Sequence, residues 1–200
     1  MSTHVIDELD IGFGWIEAAR MQRTSHALRA DGRVWIVDPI DGDGVDERIR
    51  SLGEPTGVIQ LLDRHNRDCA KFASRFGVPL YVVPAALPEA PFELLPVVRN
   101  RWWREIALWW PERRVLACAD ALGTTPFHRA GGEGVGVHPF LRLLPPRSLR
   151  GLPVEHLLVG HGEGLHGEGT AAAVDDALRL ARRRIPRWVA GVPGIVRRGG

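Results

Sequence analysis

Four short apolar runs constrain this chain most, because each ends on a residue able to do chemistry. Val34-Trp35-Ile36-Val37 runs into Asp38, and Val58-Ile59-Gln60-Leu61-Leu62 runs into Asp63. Val115-Leu116-Ala117-Cys118-Ala119 runs into Asp120, and the run from Val154 to Val159 meets Gly160-His161-Gly162. Apolar runs this short, bounded by turn residues, read as buried strands. Residues just beyond strand ends lie on loops held by a rigid sheet, where sites are usually built.

The segments between the runs supply turns, helices and further strands. Thr24 to Ala30 reads as a strand, and Asp31-Gly32 is a hairpin signal leading into the first run. Val45, Ile49 and Leu52 have helical spacing, as do Cys69, Phe72 and Phe76, with Gly77 as a C-terminal cap. Leu80 to Val83 is a strand, proline breaks the pattern from Pro84 to Pro96, and Arg104 to Trp110 is a strand turned at Pro111 to Arg114. A stretch rich in glycine and proline follows from Gly123 to Pro146, and Thr170 to Arg184 reads as a closing helix. Hairpins beside βα units predict a layered α/β domain rather than a bundle or a pure sandwich. Trp102-Trp103 and Trp109-Trp110 flank one strand, so one of each pair is expected to face inward and the other outward.

Two hundred residues, 44% apolar and 25% charged, suit one ordinary domain, and the reading is a single domain over residues 1–200. A formal net charge of +2 gives no reason to expect nucleic acid or an anionic membrane as partner. Positive charge concentrates in a C-terminal helix and tail, about residues 170–200, at Arg179, Arg182, Arg183, Arg184, Arg187, Arg197 and Arg198. That is read as a solvated helix face. Cys69 and Cys118 form no CxxC, which fits a reducing, cytoplasmic setting and two buried core thiols. No stretch approaches the ~20 apolar residues that span a bilayer.

The densest group of functional side chains is Asp63-Arg64-His65-Asn66-Arg67-Asp68. Together with the helix ending Arg75-Phe76-Gly77-Val78-Pro79, it resembles the first metal motif of the metallo-β-lactamase fold, H-x-H-x-D-H. Asp63 stands at the first His, His65 at the second, Arg67 at the Asp and Asp68 at the last His. Arg113 to Leu122 is similar to the strand ending in that family's metal-bridging Asp, placing Asp120 there. Val154 to Glu163 is similar to its terminal strand and G-H-G turn, placing His161 at the last ligand. Arg101 falls where the family has a further ligand His. The resemblance spans about Thr24 to Gly164 and implies a four-layer αββα sandwich with a metal site on one edge. It matches Asp38 to a strand-ending acid that holds the adjacent loop.

The resemblance implies a metal set of Asp63, His65, Asp68, Asp120 and His161, with Asp68 and Asp120 as catalytic candidates. Each metal position then loses a ligand to arginine, at Arg67 and Arg101, and a guanidinium has no lone pair to give. Two fixed positive charges among Asp63, Asp68 and Asp120 relieve the carboxylate repulsion a cation would otherwise relieve. The expectation is a degenerate site with no metal, or one weakly bound zinc, iron or manganese ion, in a binding or regulatory protein with a small anionic partner. The alternative is a mononuclear hydrolase of an ester, thioester or related small substrate. The remaining histidines are read as structural, with His166 a spare ligand near His161.

Overall fold

The computed structural model describes residues 2–19 and 21–197. Arg198, at the end of the basic tail, lies outside them. Six strands make the first sheet in chain order: β1 (Thr3–Leu9), β2 (Gly12–Glu17), β3 (Thr24–Ala30), β4 (Arg33–Val37), β5 (Glu54–Gln60) and β6 (Leu80–Val82). The first four pair antiparallel, whereas β4, β5 and β6 are parallel. Crossovers through α1 (Val45–Leu52) and α2 (Cys69–Phe76) join the parallel strands, as parallel pairing requires. The β3–β4 turn has Asp31 at φ 49° and Gly32 at φ 78°, the left-handed pair that a two-residue hairpin needs.

The second sheet is built from β7 (Glu93–Arg99), β8 (Arg104–Trp110) and β9 (Val115–Cys118), followed by a small separate ladder of β10 (Leu122–Gly123) and β11 (Gly136–Val137). It is completed by β12 (His156–Val159) and β13 (Leu165–His166), in the order β13-β12-β9-β8-β7. α3 (Thr170–Leu180) and α4 (Ile185–Arg197) close the chain.

Strand alternation sorts the apolar residues into three cores, and three cores separate four layers. Trp35, Val37 and Ile59 face Ile106, Leu108, Trp110, Val115 and Leu158 between the sheets. The opposite face of the first sheet, with Trp15, Val34, Ile36 and Val58, packs on Val45, Ile49, Cys69 and Phe72 of α1 and α2. The outer face of the second sheet, with Trp109, Leu116, Leu157 and Val159, packs on Val174, Ala177 and Leu178 of α3. This is the expected αββα sandwich. Trp109 and Trp110 face opposite sides of their strand, Trp110 into the core between the sheets and Trp109 under α3, and both are buried because both sheets are covered on both faces. Trp102 and Trp103 do divide, at 71% and 7% exposure.

Several boundaries differ from the sequence reading. β1 and β2 were not anticipated. β1 is half solvated and carries His4, Asp7 and Glu8, which mask its pattern. β7 runs through Pro96, at the edge of its sheet and at a register irregularity between Pro96 and Val98, where a missing N–H is tolerated. The closing helix stops at Leu180, and a second begins at Ile185 with Pro186 in its first turn, a favoured place for proline. Among the described residues, no helix is long and apolar enough to cross a membrane.

Candidate metal centre

β4 and β5 are parallel, and so are β9 and β12, so all four C-terminal ends deliver residues to one edge of the sandwich. Asp38 follows β4, the Asp63–Asp68 loop follows β5, Asp120 follows β9 and His161 follows β12. The edge is stitched across the sheets: Thr24 N–H donates to the Gly160 carbonyl at 2.9 Å, and Arg23 and His161 form an isolated bridge. Glycine is required at both sides of His161. A Cβ on Gly160 would lie 2.7 Å from the Ala119 carbonyl oxygen, and Gly162, at φ 94°, would place one 2.2 Å from Thr124 Oγ1.

His65, Asp120 and His161 converge, with one ligand atom from each lying within 4.8 Å of the others. Nε2 of His65 lies 3.0 Å from Asp120 Oδ1, and Nε2 of His161 lies 3.1 Å from the same oxygen. That oxygen is buried, yet neither approach has hydrogen-bond geometry, so it has no hydrogen-bond partner. The other ring nitrogens are engaged. His65 Nδ1 pairs with Asp38 Oδ2 at 3.0 Å, and His161 Nδ1 donates to the Met21 carbonyl at 2.8 Å. An imidazole that donates through Nδ1 keeps its lone pair at Nε2, the arrangement that second-shell partners impose on metal-binding histidines. A tetrahedral cation with bonds of ~2.0–2.1 Å separates its ligand atoms by about 3.3 Å, close to the two Nε2–Oδ1 distances. The three residues therefore fit one zinc-class cation.

The three residues are also coupled electrostatically. Burial opposes the charged form of Asp120, but His161 and His65 hold its carboxyl well below the usual range. Burial and the Arg67 charge work against protonated His65, and Asp38 and Asp120 outweigh them, raising its pKa. Beneath the site, Glu105 on β8 accepts from the N–H groups of Asp120 and Ala121 through Oε1 and from Trp103 Nε1 through Oε2. Burial, then the Asp120 charge, pushes Glu105 up to about 7.

The other sequence-derived positions are used differently. Asp63 Oδ2 accepts from Arg104 N–H at 3.1 Å, and Asp68 Oδ2 accepts from Asp41 N–H at 2.8 Å, so these carboxylates brace loops outside the three-ligand set. Arg67 is part-buried and donates to three backbone carbonyls, Thr24 at 2.5 Å, Asp38 at 3.0 Å and Gly160 at 2.9 Å. It is not paired with Asp63 and Asp68. Its charge is felt by Asp38 and Asp120. Arg101 is corrected more strongly. It lies on the exposed tip between β7 and β8, with its guanidinium 4.0 Å above the Trp102 ring, so an aromatic face and not a carboxylate is its partner. The expected network of two arginines among three carboxylates does not form. Cys69 and Cys118 are free and buried, with their thiol pKa values raised by burial.

Two histidines read from the sequence as structural are neighbours of the site. The His128 ring stacks 5.8 Å from His161, and His138 lies 5.7 Å from His128. His128 Nε2 donates to the Asp120 carbonyl at 3.2 Å, while Nδ1 accepts from Thr125 Oγ1 at 2.9 Å. Both nitrogens are satisfied by the neutral ring, and burial, then His161 and His138, pushes its pKa down to about 3. His128 thus braces Asp120 and is not a ligand. Burial lowers His138 to about 4 against the pull of Asp120. The available signal was glycine: a Cβ at Gly123 would lie 2.5 Å from the His128 ring, and one at Gly136 would lie 2.1 Å from its carbonyl oxygen.

A two-sheet αββα sandwich with strand-end acids and histidines gathered on one edge is the metallo-β-lactamase fold, and this chain adopts it. The crystal structure of DIM-1 metallo-β-lactamase exposed to ceftazidime matches with a TM-score of 0.63 at 13% identity, covering 90% of this chain and 98% of that one. A protein from Nostoc sp. PCC 7120 named diflavin flavoprotein A 5 (fragment 1–254) matches with a TM-score of 0.59 at 12% identity, covering 92% and 98%. No protein-family model matches the sequence, and the search of curated proteins finds no match.

Proposed function

We propose that this chain binds a single divalent cation on His65, Asp120 and His161 and is a mononuclear hydrolase of an ester, thioester or related small substrate. The observation carrying this reading is the buried Asp120 Oδ1, without a hydrogen-bond partner and flanked by two Nε2 atoms whose rings are fixed from behind. Three protein ligands leave a coordination position open, as catalytic sites do. A bound zinc, iron or manganese ion would supply Lewis acidity and lower the pKa of water held there. Asp38 and the Met21 carbonyl orient the two rings, Glu105 and His128 fix the Asp120 backbone, and neutral His138 contributes no charge. The fold's second cation position is degenerate. Arg67 contributes a fixed positive charge beside Asp38 and Asp120, and Asp68 is held by the Asp41 amide. Exposed Arg64 and Arg104 beside the loop suit a small anionic substrate. The reading keeps the cytoplasmic setting drawn from the two free cysteines.

A second reading, a metal-free binding or regulatory protein, draws on the raised pKa of His65. Protonated His65 and Arg67 would balance Asp38 and Asp120 without a cation. Metal analysis after purification without chelator separates the two. One equivalent that His65→Ala loses supports the hydrolase, and uptake of added zinc, iron and manganese that is the same in His65→Ala as in the unaltered chain refutes it. Two equivalents at this edge would refute both.

A further inference from the structure

A second group of histidines lies away from this edge. His156 on β12 and His166 on β13 are direct partners across the antiparallel ladder, and their Nδ1 atoms face each other at 3.3 Å. Behind His166, Nε2 lies 2.9 Å from Asp7 Oδ1. Asp7 belongs to β1, the edge strand of the first sheet, and β13 is an edge strand of the second. The Asp7 carboxylate is 5% exposed and also accepts from Gly164 N–H, at 3.0 and 3.1 Å to its two oxygens. Gly164 has no room for a side chain, since a Cβ would lie 2.8 Å from the His166 ring.

We infer that His156 and His166 form a second metal site, in which their Nδ1 atoms chelate a zinc-class cation where the edges of the two sheets meet. Two observations carry it. The Nδ1 separation is that of adjacent ligands around a cation with bonds of ~2.0–2.1 Å, about 3.3 Å. Asp7 makes His166 donate through Nε2, which leaves the Nδ1 lone pair facing His156, the carboxylate–histidine–metal order of second-shell design. Without the cation, the His156 Nδ1–H donates to that lone pair. Binding moves this proton to His156 Nε2, with no net proton released. Burial, then His166, lowers the His156 pKa and keeps the ring neutral. His166 is 28% exposed, and Glu155 is engaged by Arg114 at 3.1 Å, so water completes the coordination. The cation would clip the β1–β2 hairpin, through Asp7, to the far sheet. This site shares no residue with His65, Asp120 and His161 and does not depend on the reading given to them.

Zinc binding to the full chain, measured by equilibrium dialysis, tests it. The double variant His156→Gln/His166→Gln should bind one equivalent fewer than the unaltered chain, while His65→Ala/His161→Ala retains the site. Asp7→Asn should weaken it about 10- to 100-fold. Equal zinc uptake by the unaltered chain and the His156→Gln/His166→Gln variant overturns the inference. If His65, Asp120 and His161 bind nothing, the unaltered chain takes up one equivalent that His65→Ala/His161→Ala keeps, so the two failures differ. A measurement without variants guards against misfolding: zinc should move the imidazole Nδ1 resonances of His156 and His166 and leave His166 Nε2 protonated. Unmoved resonances at saturating zinc also overturn it.

Discussion

Replacing Arg67 with methionine keeps most of the apolar stem and removes the guanidinium, which isolates its role at the site. The group donates to the carbonyls of Thr24, Asp38 and Gly160, joining the start of β3 to the ends of β4 and β12. Hydrogen bonds to a charged group contribute about 1.5–3 kcal/mol each, so simple addition gives an upper bound of about 4.5–9 kcal/mol. The real loss is smaller, because two carbonyls keep another donor. Asp38 O also accepts from Ser25 Oγ at 2.8 Å, and Gly160 O from Thr24 N–H at 2.9 Å. Burying the guanidinium also carries a desolvation cost that methionine does not. The expected destabilisation is therefore about 2–4 kcal/mol. In urea, with a slope of about 2–3 kcal/mol/M, the midpoint falls by roughly 1 M. Removing a positive charge that Asp120 feels should also tighten zinc binding, by about tenfold or more in this buried setting. A stability change below about 1 kcal/mol, or unchanged zinc affinity, refutes the account of Arg67 as both staple and charge. Arg101→Met is the control, and at its exposed position it should stay within about 0.5 kcal/mol.

Metal content should fall in His161→Ala as in His65→Ala and stay unchanged in Asp68→Ala and Arg101→Ala; loss of metal in Asp68→Ala would reinstate the ligand position implied by the resemblance. His128 and His138, lowered to about 3 and 4, are neutral in the fold, whereas the unfolded chain protonates them near pH 6.5. Their contribution is full above that pH and lost as pH falls toward 4 and 3, reaching about 2 kcal/mol for each by pH 5, so urea midpoints should drop with acidification and His128→Asn should flatten the profile. His65 runs the other way in metal-free protein: its raised pKa stabilises the fold below pH ~6.5 and is lost as pH rises through the folded value. Calorimetry with chelator should show that loss, and a His65→Ala protein with the same alkaline limb would count against it. Trp110→Ala, which opens the core between the sheets, should cost about 3–5 kcal/mol, whereas Trp102→Ala should stay within about 0.5 kcal/mol.

The sequence disclosed the elements whose burial is continuous. The runs ending at Asp38, Asp120 and Gly160 are covered on both faces, so they appear as unbroken apolar strings, and the residues after them fall at the site. α1 was legible because Val45 and Ile49 turn to one side. β1 and β7 lie at sheet edges, where polar residues and Pro96 are tolerated, and edge positions leave little pattern to read. At the site, His65, Asp120 and His161 were reached through the resemblance. The fates of Asp63, Asp68, Arg67 and Arg101 could not, because a charged residue does not reveal whether it meets a carboxylate, a backbone group or a ring. His128 and His138 sit on a stretch without periodicity and reach the site only through the β10–β11 ladder.

Pro96 has a consequence for how copies of this protein meet. β7 is an outer strand of the second sheet, and an outer strand offers unpaired backbone groups to any passing chain. At Pro96 there is no N–H to offer, and the register breaks between Pro96 and Val98, twisting the edge away from a flat template. The first sheet ends on β6, only three residues long. Together these devices guard the β6 and β7 edges against the edge-to-edge growth that turns folded sheets into fibrils.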